Sequence, residues 1–240
     1  MNLHWPKSPA PGNLGDIISP YLYEKITGTK PVWCSNKSSP KIMMSGSTMH
    51  YVKDGDHVFG TGIMWSGSAL AKAKYYFVRG PLTRQRILNC GGTCPKIYCD
   101  PGLLLPFYYN PDIKIKYPVG VIPHYVDYVD MKQQYPHLKV INVLDANIEH
   151  VINQILECQV IYSSSLHGII ISHAYGVQTA WIRPSDKLCG DDVKFKDYAE
   201  SVSIHLVPCK IGEEKYLRIA DSNYHIETAK SILEESLITL

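Results

Sequence analysis

The stretch Ser163-Ser164-Ser165-Leu166-His167-Gly168 sets hydroxyls, an imidazole and a glycine side by side. An imidazole changes charge near neutral pH, so it can give or take a proton. Serine oxygens cap helix starts, and the N–H groups left unpaired in a first helical turn attract phosphate or carboxylate. The flanking pattern predicts the scaffold for this chemistry. Val160–Tyr162 is a short apolar run of strand type, and a helical pattern then continues to Gly176. On that helix His167, Ile170, Ile171 and Ala174 share one face, which puts the imidazole at the open end of an apolar stripe, beside a cleft. Gly168 would let an anion approach the backbone closely. The plainer alternative is a hydrogen-bonded histidine at the start of an ordinary α/β helix.

Other candidates fall at similar places. Asn2–Trp5 reads as a strand, followed by a loop rich in proline and glycine that ends at Asp16 as N-cap of a helix over Ile17–Ile26. Gly12, Asn13, Gly15 and Asp16 thus form a second possible ligand loop, or a plain strand-to-helix connection. Lys41–Ser45, His57–Thr61, Tyr75–Val78 and Lys96–Cys99 read as strands and Pro81–Asn89 as a helix opened by proline. Arg79 then lies at the carboxyl end of a strand, where open α/β sheets bind ligands, although a salt bridge would also explain it. Asn110–Tyr117 reads as a linker. Beyond it come a strand over Val119–Ile122 with His124 just past its end, a strand over Val140–Val143 and a helix over Ile148–Leu156. A strand over Thr179–Ile182 ends at Arg183-Pro184, and helices are expected over Lys194–Ser201 and, from Ser222 as N-cap, to Leu237.

This alternation predicts an α/β protein of two Rossmann-like parallel-sheet domains facing a cleft, residues 1–117 and 118–240, with the last helix able to pack back on the first domain. His167, Arg79, His124 and Arg183 all fall at strand ends facing that cleft. The composition, 45% hydrophobic and 19% charged, is that of a globular chain, and a formal charge of +2 without a basic stripe excludes a nucleic-acid partner. No stretch is apolar enough to span a bilayer and Met1–Lys7 lacks a signal-peptide core, so a cytoplasmic location is expected. Seven scattered cysteines fit a reducing compartment, and Cys90, Cys94 and Cys99 lack a fourth zinc ligand, so no metal is expected.

Five stretches in order resemble the polysaccharide pyruvyl transferases: Gly12-Asn13-Leu14-Gly15-Asp16, Val78-Arg79-Gly80-Pro81-Leu82-Thr83, Tyr98-Cys99-Asp100-Pro101-Gly102, Val119–Tyr125, and Ser163–Gly176. The resemblance implies an arrangement similar to that of GT-B glycosyltransferases. It also implies transfer of pyruvyl from phosphoenolpyruvate to a sugar diol, forming a cyclic ketal, with phosphoenolpyruvate as co-substrate and no bound cofactor. The implied partner is a sugar or polysaccharide acceptor, which a lipid carrier could present. On this reading His167 is the first catalytic candidate and His124 the second. Arg79, Arg183, Ser164, Ser165, Leu166 and Gly168 hold the donor, and Asn13, Gly15 and Asp16 form a donor or acceptor loop. Many members carry arginine where Ser165 stands, which leaves the missing charge to Arg79 or Arg183, and Ser45-Gly46-Ser47 replaces a common run of glycines. A nucleotide-sugar glycosyltransferase and a non-catalytic glycan- or anion-binding module are the alternatives.

Overall fold

A computed structural model describes residues 1–220 and 225–240. Strands β1 (Leu3–His4), β2 (Ile42–Met43), β3 (His57–Phe59) and β4 (Lys74–Phe77) pair in parallel in chain order. A second parallel sheet contains β5 (Tyr117–Ile122), β6 (Lys139–Val140), β7 (Cys158–Ser163) and β8 (Gln178–Trp181), in the order β6-β5-β7-β8. The expected pair of Rossmann-like parallel sheets is therefore present. The expected strand at 96–99 is reduced to one bridge between Val78 and Tyr98, because only Val78 offers that segment a partner.

The helices are α1 (Leu14–Thr27), α2 (Pro81–Asn89), α3 (Tyr128–Gln134), α4 (Ile148–Leu156), α5 (Leu166–Ala174), α6 (Val193–Ser201) and α7 (Ile226–Thr239). Helix α1 starts earlier than its sequence suggests. The Asn13 side chain accepts from Gly15 N–H while Asp16 reaches back to the Asn13 N–H, a reciprocal capping box that makes Asn13 the cap and puts Asp16 inside the first turn. Helix α3 has no apolar periodicity strong enough to announce it and was not expected. Ser222, the expected cap of α7, lies outside the described residues. Helix α7 packs against α1 and the 3₁₀ segment Pro101–Phe107.

One continuous core joins the two sheets. Ile18 and Leu22 of α1, Leu103–Leu105, Ile122, Ile161 and Ile169–Ile171 are all buried in it, and Trp181 of β8 stacks on Phe195 of α6 at 4.3 Å. Helix α5 is consequently buried on every side, rather than bearing one apolar stripe. A second link between the halves is polar: α6 packs against α2, and Asp197 of α6 accepts from Arg79 Nε (3.0 Å), Thr83 N–H (2.9 Å) and Thr83 Oγ1 (2.7 Å).

Candidate functional site

In the second sheet the chain leaves β5 for β6 on one side and returns to β7 on the other, so β5 and β7 diverge at a switch point whose carboxyl ends leave a crevice. A cavity of about 290 Å³ lies there, walled by both halves. Its floor is polar: Asp16 is 6% exposed, and His167, Ser165 and Lys194 are each 7% exposed. Toward solvent it is lined by Pro6, Ser8, His50, Tyr51, Met64, Trp65 and Tyr125.

His167 occupies the first turn of α5. Its Nε2 lies 3.2 Å from Ser45 Oγ and 3.4 Å from Asp100 Oδ2, and Asp100 Oδ2 has no other partner among the described residues. The second carboxylate oxygen of Asp100 accepts from Gly102 N–H at 2.9 Å, so the acid is fixed by its own turn. A carboxylate against one ring nitrogen selects the tautomer and orientation of the imidazole. The other side of the ring packs on Gly15, where a Cβ would fall 2.1 Å from Nδ1, so only glycine admits the imidazole at this place. Gly15 thus shapes the site without lining the cavity. Asn13 and Asp16 do line it, and burial pushes the Asp16 carboxyl up to about 6 against the opposing effects of His167 and the Asn13 N–H.

His124 follows the end of β5. Its backbone N–H donates to Ser164 Oγ at 2.9 Å, its ring lies 4.3 Å from that of Tyr125, and its Nδ1 is buried without a partner among the described residues. Burial, and then the charge of Lys194, lower its pKa to about 4. Ser164 therefore ties the β5 and β7 ends together instead of lining the cavity. Ser165 caps α5, accepting from Gly168 N–H at 3.4 Å, and lines the cavity with Leu166. Gly168 does not line the cavity: a Cβ would fall 2.4 Å from Ser163 Oγ and 2.8 Å from Ile122 Cγ2, so its small size serves helix-on-strand packing.

Neither arginine assigned to the donor reaches the cavity. Arg79 is 0% exposed, with its guanidinium shared among Asp197, Ser47 Oγ and the Ile63 carbonyl. Its strand end does face the crevice, but a carboxylate from the other half has taken the charge. Arg183 leaves β8, the edge strand, away from the switch point, and there pairs with Asp192 over the Trp181 ring. The cation that lines the cavity is Lys194, whose Nζ contacts the Cys189 carbonyl at 3.3 Å. Burial, and then Arg79, push its ammonium down to about 8. Sequence reasoning saw only a helix start at this residue. The missed signal is that a lysine in a first helical turn opposes the helix dipole and needs a reason to be there.

Among the described residues no group of three or more His, Cys, Asp or Glu could hold a metal, and Cys90, Cys94 and Cys99 are free thiols. No helix is long and apolar enough to cross a membrane among those residues.

Comparison with known proteins adds three findings. The family description "Polysaccharide pyruvyl transferase" matches residues 66–186, half of the chain, from the end of the first sheet through α5 and β8. An uncharacterized protein of Acanthamoeba polyphaga mimivirus is 29% identical over 199 residues, covering 78% of this chain and 69% of its own length. No solved structure matches the chain.

Proposed function

Because the chain belongs to the polysaccharide pyruvyl transferase family, we propose that it transfers the pyruvyl group of phosphoenolpyruvate to two hydroxyls of one sugar residue, forming a cyclic ketal and releasing phosphate. The observation that carries this reading is the pairing, in one cavity, of a histidine backed by Asp100 with a lysine and the start of helix α5. Phosphate and carboxylate need cationic and N–H partners. Lys194 supplies the charge, and the N–H groups of Leu166 and His167 precede the point where bonding within α5 begins.

The reaction balances with acid–base groups alone. A proton is added to the methylene carbon of the donor, which becomes a methyl group, and the neighbouring carbon acquires oxocarbenium character. One sugar hydroxyl attacks that carbon and loses its proton to a base. Phosphate departs with the C–O bonding pair, the second hydroxyl attacks, and its proton ends on phosphate. Asp16, with a carboxyl near 6, is suited to deliver the first proton, and His167 to accept one from the sugar. Positioned proton transfer of this kind contributes about 100- to 10,000-fold to a rate.

The test is phosphate release from phosphoenolpyruvate across a panel of glycans, with mass analysis of the sugar product. Glycan-dependent release and a product heavier by pyruvate less water support the reading. Release from no glycan, or turnover of a nucleotide sugar instead, overturns it.

A further inference from the structure

The cavity changes character from floor to rim. The floor carries Asp16, His167 and Lys194, all under a tenth exposed, whereas Trp65 is 39% exposed and shares the rim with His50 and Tyr51. These rings form one group: His50 meets Trp65 edge-on at 5.5 Å and Tyr51 at 4.0 Å. Among the described residues the rim has no carboxylate, ammonium or guanidinium, and burial lowers the pKa of His50, which favours its uncharged form.

Trp65 is also held in place. Its carbonyl accepts from Ser68 N–H (3.2 Å) and Ser68 Oγ (2.8 Å), and the next residue, Ser66, donates its N–H (2.9 Å) and hydroxyl (2.6 Å) to Asp191 across the cleft. Its indole N–H has no acceptor among the described residues. Trp33, as exposed at 41%, differs: its indole N–H donates to the Trp5 carbonyl, and it lies outside the cavity. A fixed aromatic face with a spare donor, above a charged floor, suits an uncharged ring with an apolar side and polar edges. Pyranose C–H bonds, polarised by their oxygens, pack on the negative face of an indole while the hydroxyls stay free to bond or react.

Resting on the transferase reading above, we propose that Trp65, with His50 and Tyr51, seats the acceptor as a neutral hexopyranose, stacked so that its diol edge points down toward His167. An anionic sugar is the wrong class for this rim, and the anionic donor belongs below it.

The experiment has a binding arm that needs no turnover. Saturation-transfer NMR on the full chain, without phosphoenolpyruvate, uses the methyl glucoside, galactoside, mannoside and 2-acetamido hexosides as probes. At least one should bind wild type, with transfer strongest on ring C–H protons. Trp65→Ala should weaken binding by at least about tenfold, Trp65→Phe should restore part of it because a ring face remains, and Phe107→Ala, exposed but remote, should match wild type. In the kinetic arm, Trp65→Ala should raise KM for the acceptor and leave KM for phosphoenolpyruvate unchanged. If wild type binds none of the probes, or Trp65→Ala binds them as wild type does, the rim is not the sugar seat. Pyranoside binding lost in Trp65→Ala, with no turnover of phosphoenolpyruvate by wild type, keeps the seat and overturns the transferase reading instead.

Discussion

His167 and His124 stand past the ends of adjacent strands and line the same cavity, yet the protein treats them in opposite ways. His167 is wired across the cleft to Ser45 and Asp100, groups of the other half, while His124 keeps a buried nitrogen with no partner among the described residues, beside a lysine. A carboxylate and a hydroxyl at one ring nitrogen fix the direction and tautomer of an imidazole. A neighbouring cation and a dry surround oppose the charged form, and His124, with a pKa near 4, is neutral at physiological pH. Strand-end position therefore does not set the chemistry open to a histidine; the groups that face its ring do.

The largest effect that would sharpen this contrast is loss of His167. His167→Ala should lower kcat by about 100- to 10,000-fold with an unchanged circular dichroism spectrum, and near-normal turnover would remove the residue from the mechanism. Asp100→Asn tests the wiring itself. It keeps shape but removes the charge behind Nε2, so kcat should fall about 10- to 100-fold while KM for phosphoenolpyruvate holds. Next comes the donor charge. Lys194→Met should raise that KM at least about tenfold, the loss of one charge-assisted contact. In wild type the ammonium is charged below its pKa of about 8 and neutral above it, so donor affinity should fall as pH rises through about 8. Lys194→Arg should move that fall to higher pH, and a pH profile identical in Lys194→Arg would exclude Lys194 as the donor cation. The smallest effect belongs to His124. His124→Gln keeps a neutral hydrogen-bonding side chain and should retain activity within about tenfold, so a loss as deep as that of His167→Ala would erase the contrast and restore His124 as an equal catalyst.

Arg79 offers a different check, on stability. Breaking a buried ion pair by removing one partner costs about 3–5 kcal/mol, so Arg79→Met should lower Tm markedly while KM for phosphoenolpyruvate in the folded fraction stays near wild type. A raised KM with unchanged Tm would return Arg79 to the donor site.

What could be read in the sequence was whatever depends on local pattern. The helices at 81–89 and 148–156 are where capping and apolar spacing put them, and the alternation of strand and helix gave two parallel sheets. His167 was legible for the same reason, since serines, histidine and glycine at a strand-to-helix turn form a local signal. The fate of charges was not. Arg79 looks like a ligand until Asp197, 118 residues later, is known to face it. Asp100 was visible as a turn residue, but its place behind His167 depends on how the two halves meet. Lys194 shows nothing beyond helix-forming tendency until α6 is laid over the crevice. Sequence periodicity encodes which side of an element is buried, but it does not encode which element's charge arrives there first.

The contact of Asp197 with Arg79 and Thr83 has a mechanical consequence. Such a cluster cannot slide by a fraction of an ångström without stranding a charge in a dry interface, where the penalty is several kcal/mol. The two shells of this protein are in effect welded at that point, and a wide hinge opening would tear the weld. A polymer cannot then be engulfed between them. On the transferase reading, a polymer would then reach the cavity from its open side, which would suit chain ends and side branches.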